Sequence, residues 1–211
     1  MVAPGPRQPR VTKVGKRAFI AQLDGVLKPL GFARKGVTWN RKNNSVIEVV
    51  DVQTSKFGDG FTINAGVLDP DVHSRLWNTN ASNFVHQPSC TVCVRIGELI
   101  DGRDKWWELN DPTGTVEVAE KVTAYVLPFL EQMCTRQGME RWLTDTQVVK
   151  KKYPPPIISL AIIKSSLGET AEACAILNEL QKSAGAWRPK IVEVAKQIGC
   201  GWAGGQSQIS S

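Results

Sequence analysis

Three neighbouring segments alternate apolar and polar side chains: "VTWNRK" (37–42), "SVIEVVDVQT" (45–54) and "FTINAGV" (61–67). Successive strand side chains point to opposite faces, so alternation dictates which residues can share a core. Asn43-Asn44 tolerates the positive φ of a tight two-residue turn and predicts a hairpin, with 42 facing 45, 40 facing 47 and 37 facing 50. Pairing Thr54 with Phe61 across the loop "SKFGDG" sets 52 opposite 63 and 50 opposite 65. Both turns then predict one partition. Val37, Trp39, Val46, Val50, Val52, Ile63, Ala65 and Val67 take one face, together with Glu48. Thr38, Asn40, Asp51, Gln53, Thr62 and Asn64 take the other, with Ile47 and Val49. "TVCVRI" (91–96) adds Val92, Val94 and Ile96 to the apolar face and Thr91, Cys93 and Arg95 to the polar one. "KWWEL" (105–109) reads as a short fifth strand whose two tryptophans must point oppositely. The expected result is an antiparallel sheet with one core face and one wet face.

Around the strands the period changes to helical. Phe19, Ile20, Leu23, Val26, Leu27 and Leu30 predict an amphipathic helix over 16–30, stopped by Gly31 in a left-handed conformation. Val118, Val122, Tyr125, Phe129 and Met133 predict a helix over about 116–134, capped by Thr115 and kinked at Pro128. Met139, Trp142, Leu143 and Val149 mark another helix, and "YPPP" (153–156) reads as a linker. Beyond it, two helices meet near Gly168 and a last one covers "WRPKIVEVAKQIG". The small residues Ala171, Ala173 and Ala175 resemble half of a tetratricopeptide-type hairpin, but a solenoid needs about three repeats. The fold class predicted is α+β. Its organisation is a disordered basic tail (1–15), an α+β domain (16–150), a helical subdomain (151–200) and a flexible tail (201–211).

Charge and cysteine content narrow the function classes. No apolar run approaches a membrane span, and the start of the chain has no apolar core of a secretory signal, so a cytoplasmic address is expected. The net charge of +6 is unevenly placed: residues 1–42 hold ten Lys/Arg and one acid, Asp24, while the remainder is net negative. Such asymmetry points to a polyanion or acidic partner for the N-terminal part, with Lys13, Lys16, Arg17, Arg34, Lys35 and Lys42 as candidate nucleic-acid contacts. A solvated helix face explains the same charges. The five cysteines (90, 93, 134, 174 and 200) are scattered and odd in number, so reduced thiols are expected.

Motifs with a defined chemistry are scarce. Cys90 and Cys93 form a CxxC with His86 upstream, but no second ligand pair has zinc spacing, and Cys93 falls in a strand, facing away from Cys90. Neither a metal nor a cofactor is expected. Asp101 and Asp104, like Asp69 and Asp71, read as turn chemistry. Of the seven tryptophans, Trp39 and one of Trp106 and Trp107 read as core, with Trp77 and Trp202 in loops.

The polar sheet face is the strongest candidate site. Asp51, Gln53, Asn64 and Arg95, with Asn40 and Thr62 beside them, place an acceptor, amides and a guanidinium on one surface, Arg95 pairing with Asp51. An ordinary solvated face is the bland alternative. Three functions are carried forward: a non-catalytic binding module for a protein partner or a polar or anionic ligand, a nucleic-acid binder through the first 42 residues, and a small enzyme using Asp51 as acid/base and Arg95 as anion clamp.

The blocks "LKPLGFARKGVTWNR", "VVDVQTSK", "FTINAGV", "RIGEL" and "DKWWEL" resemble, in that order, an uncharacterised bacterial family known as a domain of unknown function. The resemblance covers roughly residues 17–145. It implies a bacterial cytoplasmic α+β protein without an established activity; for the binding-module reading, analogy with other small bacterial α+β proteins points to an immunity-like or defence-associated interaction protein. Its motif blocks contain Arg34, Lys35, Trp39, Gln53, Asn64, Arg95, Gly97, Trp106 and Trp107.

Overall fold

The computed structural model describes residues 13–109, 111–145 and 153–201, with side chains from Arg17 onward. Helix α1 (Lys13–Leu27) runs into a 3-10 turn, Lys28–Leu30, which Gly31 ends at φ 86°. Among the described residues six antiparallel strands follow: β1 (Ala33–Lys35), β2 (Thr38–Asn43), β3 (Val46–Thr54), β4 (Gly60–Leu68), β5 (Val92–Arg95) and β6 (Trp107–Glu108). The order is β1-β2-β3-β4-β5, and β6 pairs with the start of β4. The chain is α+β, as the alternation predicts. Strand β1 was not expected; its three residues are all exposed and carry no alternation to read.

The β3–β4 register is the predicted one, with Val52 opposite Ile63 and Val50 opposite Ala65. The first hairpin is corrected. Asn44 takes the positive φ (52°) and the strand runs on to Asn43, so Asn43 pairs with Val46 and Asn40 with Val49. The turn has moved one position, which shifts each partner by two, and a shift of two leaves every side chain on its predicted face. Trp39, Val50, Ile63 and Val94 are accordingly buried on one side while Gln53 and Asn64 lie on the other.

The apolar face meets helices. Phe19 of α1 packs on Phe61 with ring centroids 4.0 Å apart, and Phe61 meets Trp107 at 6.0 Å. Trp39 is fully buried and its Nε1 donates to Asp24 Oδ1 of α1 at 2.9 Å, so the buried N–H is satisfied. Glu48 shares this face and is also fully buried. Arg41 and Asn43 both donate to its carboxylate, which is what makes a charge there tolerable.

Helix α2 (Pro70–Trp77) starts at Asp69, whose side chain accepts from the backbone N–H of Asp71 and Val72. Asp69 and Asp71 are thus the start of a helix rather than a turn, and Arg136 binds both carboxylates. Trp77 belongs to α2 and not to a loop. Helix α3 (Ile96–Ile100) follows β5 directly, so Ile96 is buried as the first residue of a helix.

The predicted 116–134 helix is α4 (Pro112–Lys121), a π turn (Val122–Val126) and α5 (Leu127–Met133). Its cap is Asp111, which accepts from Thr113 N, rather than Thr115. Pro128 cannot donate and crowds the carbonyl four residues back; the wider turn before it absorbs both effects.

Among the described residues, helices α6 (Arg136–Asp145), α7 (Pro154–Ser166), α8 (Thr170–Ser183) and α9 (Arg188–Gln197) follow. The prolines after Tyr153 open α7 instead of forming a linker, since the first helical turn needs no N–H donors. One apolar cluster runs without a break from Phe19 through the sheet to Ile198. Cys174 and Cys200 form a disulfide with Cα atoms 5.5 Å apart, which corrects the expectation of reduced thiols for this pair; Cys90, Cys93 and Cys134 are free. Among the described residues no helix is long and apolar enough to cross a membrane. Of the expected basic tail (1–15), residues 13–15 belong to α1, while 1–12 lie outside the described residues, as do 202–211 of the expected tail at 201–211 and the stretch 146–152 that holds Val149 and Lys150–Lys152.

Candidate functional site

Antiparallel pairing lines up one residue from each of four strands on the second sheet face: Thr38, Asp51, Asn64 and Arg95. The predicted site residues are therefore neighbours, but the structure divides them into three groups.

The first group is covered. The segment between α2 and β5 folds over one end of the face and builds a second small core from Ile47, Val49, Leu68 and Val85. Asn40 secures it: Nδ2 donates to Val85 O at 2.9 Å, and Oδ1 accepts from Val85 N at 2.6 Å. Asn40 is thus a buried clamp and not a ligand contact. Thr62 is likewise buried, donating to Lys105 O at 2.8 Å. The wet face is wet over part of its area only.

The second group surrounds Arg95. Its Nη1 donates to Asp104 Oδ1 at 2.9 Å, Nη2 to Gln53 Oε1 at 3.1 Å, and Nε lies 3.4 Å from Asn64 Oδ1. Asn64 Nδ2 also donates to Gln53 Oε1 at 3.1 Å. Trp106 lies against the guanidinium, 5.4 Å from ring centroid to carbon, and its Nε1 donates to Asp104 Oδ2 at 3.0 Å. The Trp106 hydrogen bond and Arg95 together hold the Asp104 carboxyl below the usual carboxylate range. Asp104 and Trp106 reach this position because Gly97 has no side chain. A Cβ there would meet Arg103 O at 2.1 Å and Lys105 N at 2.6 Å. Asp101 accepts from Arg103 N and shapes the same loop.

The third group is Asp51. The expected Asp51–Arg95 pair does not form, because Asn64 stands between them and Asp104 takes the guanidinium. Asp51 Oδ1 instead accepts from Thr38 Oγ1 at 2.5 Å, and that oxygen lies 3.2 Å from His86 Nδ1. Burial raises the Asp51 pKa, partly offset by the Thr38 hydrogen bond and the nearby imidazole.

Cys90 and Cys93 turn out to share a side. Cys90 lies over Gly66, where a Cβ would meet its Cβ and Sγ at 2.8 Å, and Gly66 is the partner of Cys93. Burial pushes the Cys90 thiol well up, which disfavours a nucleophilic thiolate. Among the described residues no cluster of His, Cys, Asp and Glu has the makings of a metal site.

The basic candidates are dispersed. Arg34 Nε donates to Asp24 at 2.9 Å, Lys35 lies 6.0 Å from the Phe84 ring, and Lys42 is at the far end of β2. Arg17 is exposed on α1. Lys13 and Lys16 belong to α1, with side chains outside the described set.

Sequence reasoning missed a second concavity of about 340 Å³ beside β5. Val72, Leu76, Trp77, Trp142, Leu143 and Tyr153 line it, with His73, whose Nδ1 is buried without a hydrogen-bond partner among the described residues. Its walls come from α2, β5, α6 and α7, so no local pattern announces it.

No curated protein and no solved structure matches the chain. A family model does, over residues 23–132, which spans β1 to β6, the Arg95 cluster and most of α5. Matched over just over half its length, the chain belongs to the family described as domain of unknown function DUF4304.

Proposed function

We propose that this chain is a non-catalytic binding module whose partner docks on the uncovered end of the second sheet face. The carrying observation is the Arg95–Trp106 pair. Trp106 leaves 38% of its surface exposed while its neighbour Trp107 is buried. Tryptophan and arginine are the residues that most often dominate interface energetics, and this pair is held rigid by Asp104, Gln53 and Asn64. The surface continues past Gly60, where an added Cβ would lie 3.9 Å from the Trp106 ring, to Phe57 on the β3–β4 turn, which is 80% exposed.

The test compares capture of binding partners by wild-type protein and by Arg95→Ala and Trp106→Ala variants. A genuine partner should lose at least about tenfold in affinity, the size of one hot-spot side chain. Thermal stability should barely move, since a half-exposed ion pair contributes less than about 1 kcal/mol. Arg95→Lys should fail as well, because an ammonium cannot stack on the ring and serve three acceptors. Partners retained by all three variants would refute the assignment.

A further inference from the structure

The row Thr38–Asp51–Asn64–Arg95 has unequal ends. Arg95 has its counter-ion in Asp104. Asp51 has none: among the described residues no lysine or arginine forms an ion pair with it, and its hydrogen bond comes from the neutral Thr38 hydroxyl. Lys35, the partner of Thr38 on β1 and so the next residue of the row beyond it, has its ammonium over the Phe84 ring, 6.0 Å from the centroid. A half-buried carboxylate costs free energy unless it is paired, and among the described residues no lysine or arginine supplies the pair. His86 beside it is exposed and leaves that side of the row open. The deficit is therefore one positive charge at the Asp51 end.

Resting on the binding reading above, we propose that the partner is a protein segment presenting a lysine or arginine side chain to Asp51 while an acceptor on the same segment takes the Arg95 end. Asp51 and Arg95 stand two strand spacings apart, about 10 Å. Side chains of an extended chain alternate sides, so residues two apart, about 6.6 Å, both face the sheet, and the long basic and acidic stems reach across the remainder. The matching segment carries a basic residue and, two positions along, an acidic or amide one. Charge complementarity of this kind sets orientation as well as affinity, because the reversed segment would bring a carboxylate onto Asp51.

The experiment titrates isotopically labelled, full-length protein with acetyl-Lys-Gly-Glu-amide at constant ionic strength, following backbone amide shifts by NMR. A second peptide replaces lysine by norleucine, removing the charge and keeping the stem. The expected result is saturable shifts at Thr38, Asp51 and His86, with affinity at least fivefold weaker for the norleucine peptide. Asp51→Asn, which keeps an acceptor for Thr38, should abolish that fivefold preference. Equal binding of the two peptides, or an unchanged preference in Asp51→Asn, overturns the inference. If in that case shifts persist at Gln53 and Arg95 and vanish in Arg95→Ala, the binding reading survives without it. Saturable shifts at neither end would sink both.

Discussion

Asp51 carries a carboxyl that burial makes harder to ionise and that accepts its hydrogen bond from the neutral Thr38 hydroxyl. The strand pattern placed it correctly on the second face, beside Gln53 and Asn64, because face follows parity alone. Its partner was misread, since Arg95 has a nearer acid on the α3–β6 loop, and loop conformation carries no period. The raised pKa of Asp51 gives a stability forecast. A carboxyl whose folded pKa lies above its unfolded value favours folding in its protonated form. Its contribution is complete below the ordinary value of 3.8 and is lost as pH rises through the raised one. Asp51→Asn removes that loss. The variant should have a higher urea midpoint than wild type at pH 7, with the gap closing by about pH 3. A lower midpoint at pH 7 would mean the fold uses the Asp51 charge.

Among the elements, long periodic ones were legible and short or corrected ones were not. β3 and β4, α1 and the α7–α8 hairpin follow directly from side-chain period and the glycines at 31 and 168. β1 has three residues and no buried side chain to reveal it. The segment over Asn40 reads as a polar loop, yet Val85 within it closes a second core. The Cys174–Cys200 bond could not be read either. It joins α8 to the chain just after α9, and only packing shows that the two ends meet. Closing a loop with a separation of 26 residues should stabilise the fold by about 3.5 kcal/mol on the chain-entropy account. Reduction, or a Cys174→Ala and Cys200→Ala double variant, should lower the denaturation midpoint accordingly. No change on reduction would show that the bond does not form in solution.

For the molecule as a whole, the sequence suggested a helical subdomain set apart by "YPPP", whereas the apolar cluster joins those helices to the sheet. Helix α7 packs against α2, α6 and α8. Ile157, Ile158, Leu160, Ile162 and Ile163 are all buried, worth about 1.5–3 kcal/mol each. Their sum rivals the total stability of a typical domain. A chain ending at residue 145 should therefore fail to fold, giving broad unfolding and dye-accessible apolar surface in place of a cooperative transition. A sharp transition would establish the N-terminal part as self-sufficient. The family match, ending at 132, covers the site but not the helices on which this burial argument rests.

The π turn at Val122–Val126 has a consequence for insertion and deletion. Each residue of an α-helix turns the chain by about 100°, so losing one normally swings everything beyond it off its packing face. A π turn already holds one residue more than an α turn, with Leu127 N bonded to Val122 O, five positions back. Removing a single residue from this stretch, with Pro128→Ala to restore the missing donor, would let the turn tighten while Phe129, Leu130 and Met133 keep facing the core. Along the Pro112–Met133 helix, this is the point at which the packing can absorb the loss of one codon.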